Sequence, residues 1–339
     1  MTSSTTYRIL IIFPAIALLL AGCLSFSMEE EEKKDLHGIS VTDFRGKELY
    51  FDKPVERVVC LIESALSGIY MLRKQEVVVG VPGDIYRDHL FPFYSLLDER
   101  ILNRELPAPG NWDFVSLEQT VALQPDLVII WSSQTEAIAN IEGFGIQVYA
   151  VMMHSFEDVY KEIHDLGKLL DCSLRADSLT GFTRSNLEAI RQQAADDEPE
   201  KVYFMWAQGI NETSGINSTV NELLTLAGTQ NACRGQQEHL TVSIEKMVDW
   251  DPGMIVMWYN ERLDPEDVIS NPLLQELSAI KNRRVYELPD PFTCDLWTLK
   301  MQYAVELVAA WSSQDQDLKP GPAELLEFLY GKKLISDEG

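Results

Sequence analysis

Basic residues are scarce in this chain: 28 Lys and Arg stand against 53 Asp and Glu, a formal net charge of -25. A field of that sign repels phosphate backbones and argues against a nucleic-acid partner. Cysteine is sparse as well. There are five, and none forms a C-x-x-C pair, which excludes a zinc ribbon or a thioredoxin-type motif. Histidine is limited to His37, His89, His154, His164 and His239. A closed Zn or Mn site wants about four N/O ligands, typically with several His. His37 lies beside an acidic run and His164 on a helix of solvated pattern, so no bare-metal site is expected. The nucleophile-elbow, zinc-protease and P-loop signatures are missing, so neither an enzyme nor a cofactor is expected. What is present is globular: 46% apolar and 24% charged residues over 339 positions. That length suits two domains, since one core rarely grows past about 250–300 residues.

Arg8 is the only charge before residue 29, and Ile9 to Ala21 is an apolar stretch of 13 residues interrupted by Pro14. That is short for a membrane span and suits a signal-peptide core. It ends in Leu20-Ala21-Gly22-Cys23, which resembles a lipoprotein lipobox. Residues 1–23 therefore read as a lipoprotein signal peptide, with Cys23 as the lipidated residue. The alternative is an uncleaved anchor helix. Both place the remainder outside the cytoplasm. Glu29 to Glu32 head a charge run that cannot bury itself, so 24–38 reads as an acidic tether, and order should begin near Ile39.

Beyond it, short apolar runs alternate with helical patterns. Residues 57–62, 77–81, 126–131 and 147–151 read as strands buried on both faces of a parallel sheet. Residues 116–123 and 156–170 read as helices. The pattern resumes with strands at 201–206, 254–258 and 284–288. The stretch 173–195 has no Pro and carries an apolar stripe of Leu179, Phe182, Leu187 and Ile190, which predicts one long helix. An internal match ties the halves together. Residues 116–131 align without gaps to 243–258, with Ser116/Ser243, Glu118/Glu245, Val121/Val248, Pro125/Pro252 and Trp131/Trp258 identical. This predicts two equivalent lobes, each with a helix, a Pro turn and a buried strand. Ser116 and Ser243 suit helix N-caps, and the two Glu fall in first turns, where a carboxylate is favoured.

The order of Val41-Thr-Asp-Phe-Arg-Gly46, Pro54-Val-Glu-Arg-Val-Val-Cys-Leu61, Trp112, Ser116-Leu-Glu-Gln and Leu123-Gln-Pro-Asp-Leu-Val-Ile-Ile130 resembles the substrate-binding proteins of ABC importers for iron complexes and vitamin B12. The resemblance runs from about Ile39 to about Trp311. It implies an α/β fold of two Rossmann-like lobes, 39–172 and 198–335, bridged by one long helix at 173–197, with a ligand cleft between the lobes. It also implies that Glu118 and Glu245, one per lobe, dock to an ABC permease dimer with its ATPase. The plain alternative for both is an exposed helix-start acid.

For the ligand, the resemblance points to Trp112 as a stacking residue and to Tyr86 in a strand-end loop, with Arg87 and His89 beside it. Glu63 and Ser64 follow the first strand. Trp206, Gln208, Asn211 and Thr213 follow the first strand of the second lobe. Asp295 and Trp297, with Thr293 and Cys294, precede the last long helix. Packing and capping explain these residues equally well. An aromatic that the B12 binder carries shortly before its second docking Glu is unmatched here, where Glu238-His-Leu-Thr-Val242 stands. The expected ligand is a metal chelate: ferric siderophore, haem or cobalamin. An oxyanion such as molybdate or tungstate, met by Arg87, Arg283 or Arg284, is the alternative. A cluster enzyme similar to nitrogenase-type components would need several cysteines in the cleft, where Cys294 alone could stand. A surface adhesin on the same fold is the remaining alternative. The chain is expected to act as a monomer.

Overall fold

The computed structural model describes residues 38–87, 89–193, 199–313 and 320–335. The signal peptide, Cys23 and residues 24–37 of the tether lie outside the described residues. The first ordered element is an antiparallel hairpin of β1 (Ile39–Thr42) and β2 (Glu48–Phe51). Asp43 folds its turn. Its buried carboxylate accepts the Arg45 and Lys47 amides at 2.9 and 3.0 Å and pairs with the Arg45 guanidinium at 2.8 Å.

The first lobe is a parallel sheet of β3 (Val58–Cys60), β4 (Val78–Gly80), β5 (Leu127–Trp131) and β6 (Gln147–Val151), in the order β4-β3-β5-β6. The second lobe repeats the plan. β7 (Lys201–Met205), β9 (Gln230–Asn231), β11 (Met254–Met257) and β12 (Val285–Glu287) form a parallel sheet ordered β12-β11-β7-β9. A small ribbon of β8 (Glu212–Thr213) and β10 (Leu240–Thr241) stands beside it. The central strands are continuous apolar runs because helices cover both faces of each sheet.

The internal match is a structural equivalence. The helices Leu117–Ala122 and Ile244–Trp250 are capped by Ser116 and Ser243, each accepting an amide at 3.4 Å. Gln124 and Asp251, at corresponding positions, both take left-handed φ, at 48° and 43°. Each precedes a proline, which bars the right-handed helical conformation and forces the chain out of the helix there. The Asp126 amide donates to the Arg57 carbonyl at 2.8 Å, and the Gly253 amide to the Lys201 carbonyl at 2.9 Å. Leu127 then pairs with Val58, and Met254 with Val202. One sequence module thus sets the same register twice.

The long helix Ser173–Gln193 runs between the lobes. It buries Ala176, Leu179, Thr183 and Leu187 against the helices Phe156–Leu169, Thr219–Leu226 and Met301–Ser313. One difference concerns the end of the chain, which the sequence reading assigns to the second lobe. The helix Ala323–Tyr330 packs instead on Glu63–Met71 of the first lobe. There the Tyr330 and Ser67 hydroxyls meet at 2.6 Å, and Arg175 Nη2 donates to the Phe328 and Leu329 carbonyls at 2.7 and 2.9 Å. The apolar face of Leu325, Leu326 and Leu329 finds its cover across the chain, a contact that local pattern cannot reveal.

Candidate functional site

In a parallel sheet, loops at the carboxyl ends of the strands gather on one edge, and there ligands bind. The chain places its indoles on that edge. β5 ends in Trp131, and Trp258 follows β11 directly. Between the lobes lies a hollow of about 420 Å³ lined by Leu61, Ile62, Glu63, Ser64, Asp84, Trp112, Trp131, Trp258, Pro291, Asp295 and Trp297. Both lobes contribute, and the repeated Trp131/Trp258 pair gives one wall residue from each. Trp297 stands 5.8 Å from Trp258 and stacks on Trp206 at 6.1 Å with 6° between planes. Trp206 is buried and donates Nε1–H to the Ser214 hydroxyl at 2.9 Å, which fixes its ring as backing for Trp297. Trp112, also on the lining, is 61% exposed. A second hollow, of about 570 Å³, lies beside the bridging helix among Phe156, Tyr160, Arg184, Leu187 and Glu222. It is larger, but it lies away from the strand ends and is crossed by the Arg184–Glu157 ion pair at 2.6 Å.

The floor of the cleft is charged. Glu63 opens its helix and accepts the Tyr94 hydroxyl at 2.7 Å. Asp295 is 3% exposed, and its Oδ1 accepts the Trp297 amide at 3.0 Å. Burial pushes its carboxyl up to about 7, against the pull of Lys300. Lys300 is fully buried behind the floor, its Nζ 4.8 Å over the Phe292 ring. Burial works to lower its pKa, yet Tyr330, Glu63 and Asp295 together hold it above the usual value. Deeper still, Glu162 on the helix Phe156–Leu169 is raised to about 8 by burial and by Asp295 and Asp165. Among the described residues, no cluster of three or more His, Cys, Asp or Glu could hold a metal ion. The described cysteines are free thiols, and burial raises those of Cys60 and Cys294. At the rim, two pairs cross between lobes: His154 to Glu238 at 3.2 Å and His89 to Glu261 at 3.8 Å.

Residues 97–292 match the family model described as periplasmic binding protein. The chain belongs to that family. A relative from Bacillus subtilis, the uncharacterized ABC transporter substrate-binding lipoprotein YvrC, is 25% identical over 82% of this chain and 88% of its own length. The vitamin B12-binding protein of Vibrio parahaemolyticus is 22% identical over 70% of this chain and 82% of its own. The molybdate-bound periplasmic binding protein MolA of Haemophilus influenzae superposes with a TM-score of 0.71 at 18% identity, covering 87% of this chain and 98% of that one, and shows the shared fold.

In this periplasmic binding protein, four of the residues expected as ligand contacts line the hollow: Glu63, Trp112, Asp295 and Trp297. Four do not. Tyr86 turns its hydroxyl to the Leu106 carbonyl at 2.7 Å and lies under Arg104, with the guanidinium 4.9 Å from the ring centre. Arg87 is exposed and spends its charge on Asp84 at 2.8 Å. Trp206 is one layer behind the wall, and Gln208 is exposed beyond it. Ser64 reaches the hollow. Asn211 instead ties the ribbon through the Val242 carbonyl, Thr213 is buried within it, and Thr293 bonds back to Asp290. Arg283 pairs with Glu266 and Arg284 with Glu200, both away from the cleft. Sequence reasoning missed Trp131, Trp258 and Asp84 as wall residues. The signal for the two tryptophans was present: each closes a buried strand at the same place in the repeat. Glu118 and Glu245 are both exposed, in the first turns of their equivalent helices.

Proposed function

We propose that the chain is the extracytoplasmic substrate-binding component of an ABC importer, and that it captures a flat metal chelate between its lobes for delivery to a membrane permease. The observation that carries this is the hollow walled by Trp112, Trp131, Trp258 and Trp297. Indole faces supply large, rigid, apolar area, which suits the face of a corrin, a porphyrin or a siderophore complex. Glu63 and Asp295 orient the ligand's polar edge, and Trp206 keeps Trp297 in place. The molybdate-bound relative keeps an oxyanion as the second reading, but among the described residues no arginine lines this hollow to receive one. The protein binds and releases without chemistry. It acts as a monomer, held at the outer face of the cytoplasmic membrane by lipid on Cys23.

A thermal-shift panel tests the ligand class. Ligand that binds only the folded state raises the melting point, by about 2.7 kcal/mol of stability at a hundredfold excess over Kd. At least one of cobalamin, haem and a ferric siderophore should give a saturable shift, and molybdate a smaller one or none. No shift with any chelate would remove the proposal.

Glu118 and Glu245 are proposed as the docking acids, one for each permease subunit. Two carboxylates on equivalent lobes suit a two-fold partner, and charge-complementary docking governs register and on-rate. Alanine at either position should slow association with permease in nanodiscs by about tenfold at low salt, leaving ligand affinity unchanged. Wild-type association by both variants would remove the docking role.

A further inference from the structure

The hollow between the lobes has a sign. Its titratable groups are three carboxylates, Glu63, Asp84 and Asp295, and no Lys, Arg or His lines it among the described residues. The three are not equivalent. Asp84 is neutralised by Arg87 at 2.8 Å. Glu63 holds one oxygen on the Tyr94 hydroxyl at 2.7 Å. Asp295, 3% exposed, uses Oδ1 on the Trp297 amide, while its Oδ2 has no hydrogen-bond partner. The Ser64 hydroxyl, also on the lining and 6% exposed, has none either and can itself donate or accept. Above about pH 7, where Asp295 is ionised, Lys300 behind the floor offsets one of the two carboxylates, so Glu63, Asp295 and Lys300 together leave one negative charge facing the indoles.

A buried oxygen without a donor is costly, and a ligand that supplies an N–H recovers that cost. An anionic edge would bring more lone pairs to the Asp295 Oδ2, which already lacks a donor, and would add repulsion against the floor's carboxylates. The indole faces favour the same sign as the floor, since their quadrupole attracts positive charge.

We infer that the cleft selects a flat ligand whose buried edge carries N–H donors, amide or ammonium, and rejects the same ring edged with carboxylates. The inference rests on the cleft being the chelate site.

Matched rings test it. The full-length protein in detergent is titrated at pH 8.5, above the Asp295 value of about 7, with dicyanocobinamide, a corrin edged by amides, and with dicyanocobyrinic acid, the same corrin edged by carboxylates. Haemin and its bis-amide form a second pair. Salt at 0.5 M confines the diffuse protein charge to a screening length of about 4 Å. For any ring that binds, the amide form should bind at least about a hundredfold tighter than the carboxylate form. Glu63→Gln and Asp295→Asn should each narrow that ratio roughly tenfold, because each removes repulsion from the carboxylate ring. A merely structural loss weakens both forms alike and leaves the ratio standing, which would overturn the assignment to these two acids. Equal or tighter binding of the carboxylate form overturns the inference and leaves the chelate reading intact. Binding of neither ring in either form overturns the chelate reading, and this inference falls with it.

Discussion

Replacing Trp258 with alanine lowers affinity for the chelate by roughly 30- to 1,000-fold, the range of a central aromatic anchor. Trp258 lines the hollow and also packs against two other indoles of the second lobe, Trp206 at 5.6 Å and Trp297 at 5.8 Å between ring centres. Its removal therefore deletes one wall and frees a second. Trp112 is mostly exposed, so its alanine variant should lose less. Trp311 stacks on Tyr286 at 4.8 Å and does not line the hollow, and Trp311→Phe should bind as wild type. Calorimetric titration of the three variants checks the order. Equal affinity of Trp258→Ala and wild type would move the ligand elsewhere.

The second large effect concerns stability. Glu162 is 1% exposed, its Oε1 has no hydrogen-bond partner, and its carboxyl is raised to about 8. The unfolded chain releases that proton near the ordinary glutamate value of about 4.3. Between these values the folded protein holds a proton that the unfolded chain lacks, so stability falls as pH rises through the window. The linkage relation makes the loss several kcal/mol, about 5, once the pH exceeds 8. Asp295, raised to about 7, adds a loss of the same sign. Asp98 and Glu142 work in the opposite sense. Burial raises both, but hydrogen bonds outweigh it: from Arg100 and Tyr70 for Asp98, and from Lys47 and Arg45 for Glu142. Their stabilisation is therefore lost only as pH falls below the ordinary carboxylate range. Stability should peak in mild acid. Glu162→Gln keeps the shape and removes the charge. It should match wild type within about 1 kcal/mol at pH 5 and exceed it by about 4 kcal/mol at pH 9, read from urea midpoints. A wild-type midpoint that climbs from pH 5 to 9 would show that this carboxyl is not raised.

The sheets were legible because their strands are continuous β-branched runs; β5 and β11 could be placed to within a residue. The equivalence of the lobes was legible because one module carries its own register: a Ser cap, a left-handed residue before proline, then the strand. Other elements gave no such signal. β8, β9 and β10 are two residues each and mostly polar, so no periodicity announces them. The helix Ala323–Tyr330 reads as amphipathic, but its cover lies some 260 positions back at Ser67. In the cleft, loop position together with the family resemblance brought out Glu63, Trp112, Asp295 and Trp297. They misjudged Arg87, whose charge is taken by Asp84, because side-chain pairing within a turn leaves no mark in the sequence. Trp131 and Trp258 served only as anchors of the alignment, although a tryptophan that ends a buried parallel strand stands at a ligand edge.

Hydrogen–deuterium exchange on the full-length protein, with and without the chelate that shifts its melting point, tests the central claim most directly. The account predicts slowed exchange in the backbone around 61–64, 112, 131, 258 and 291–297, contributed by both lobes at once. Protection confined to one lobe, or centred on the hollow beside the bridging helix at 156–160, 184–188 and 221–226, would contradict it.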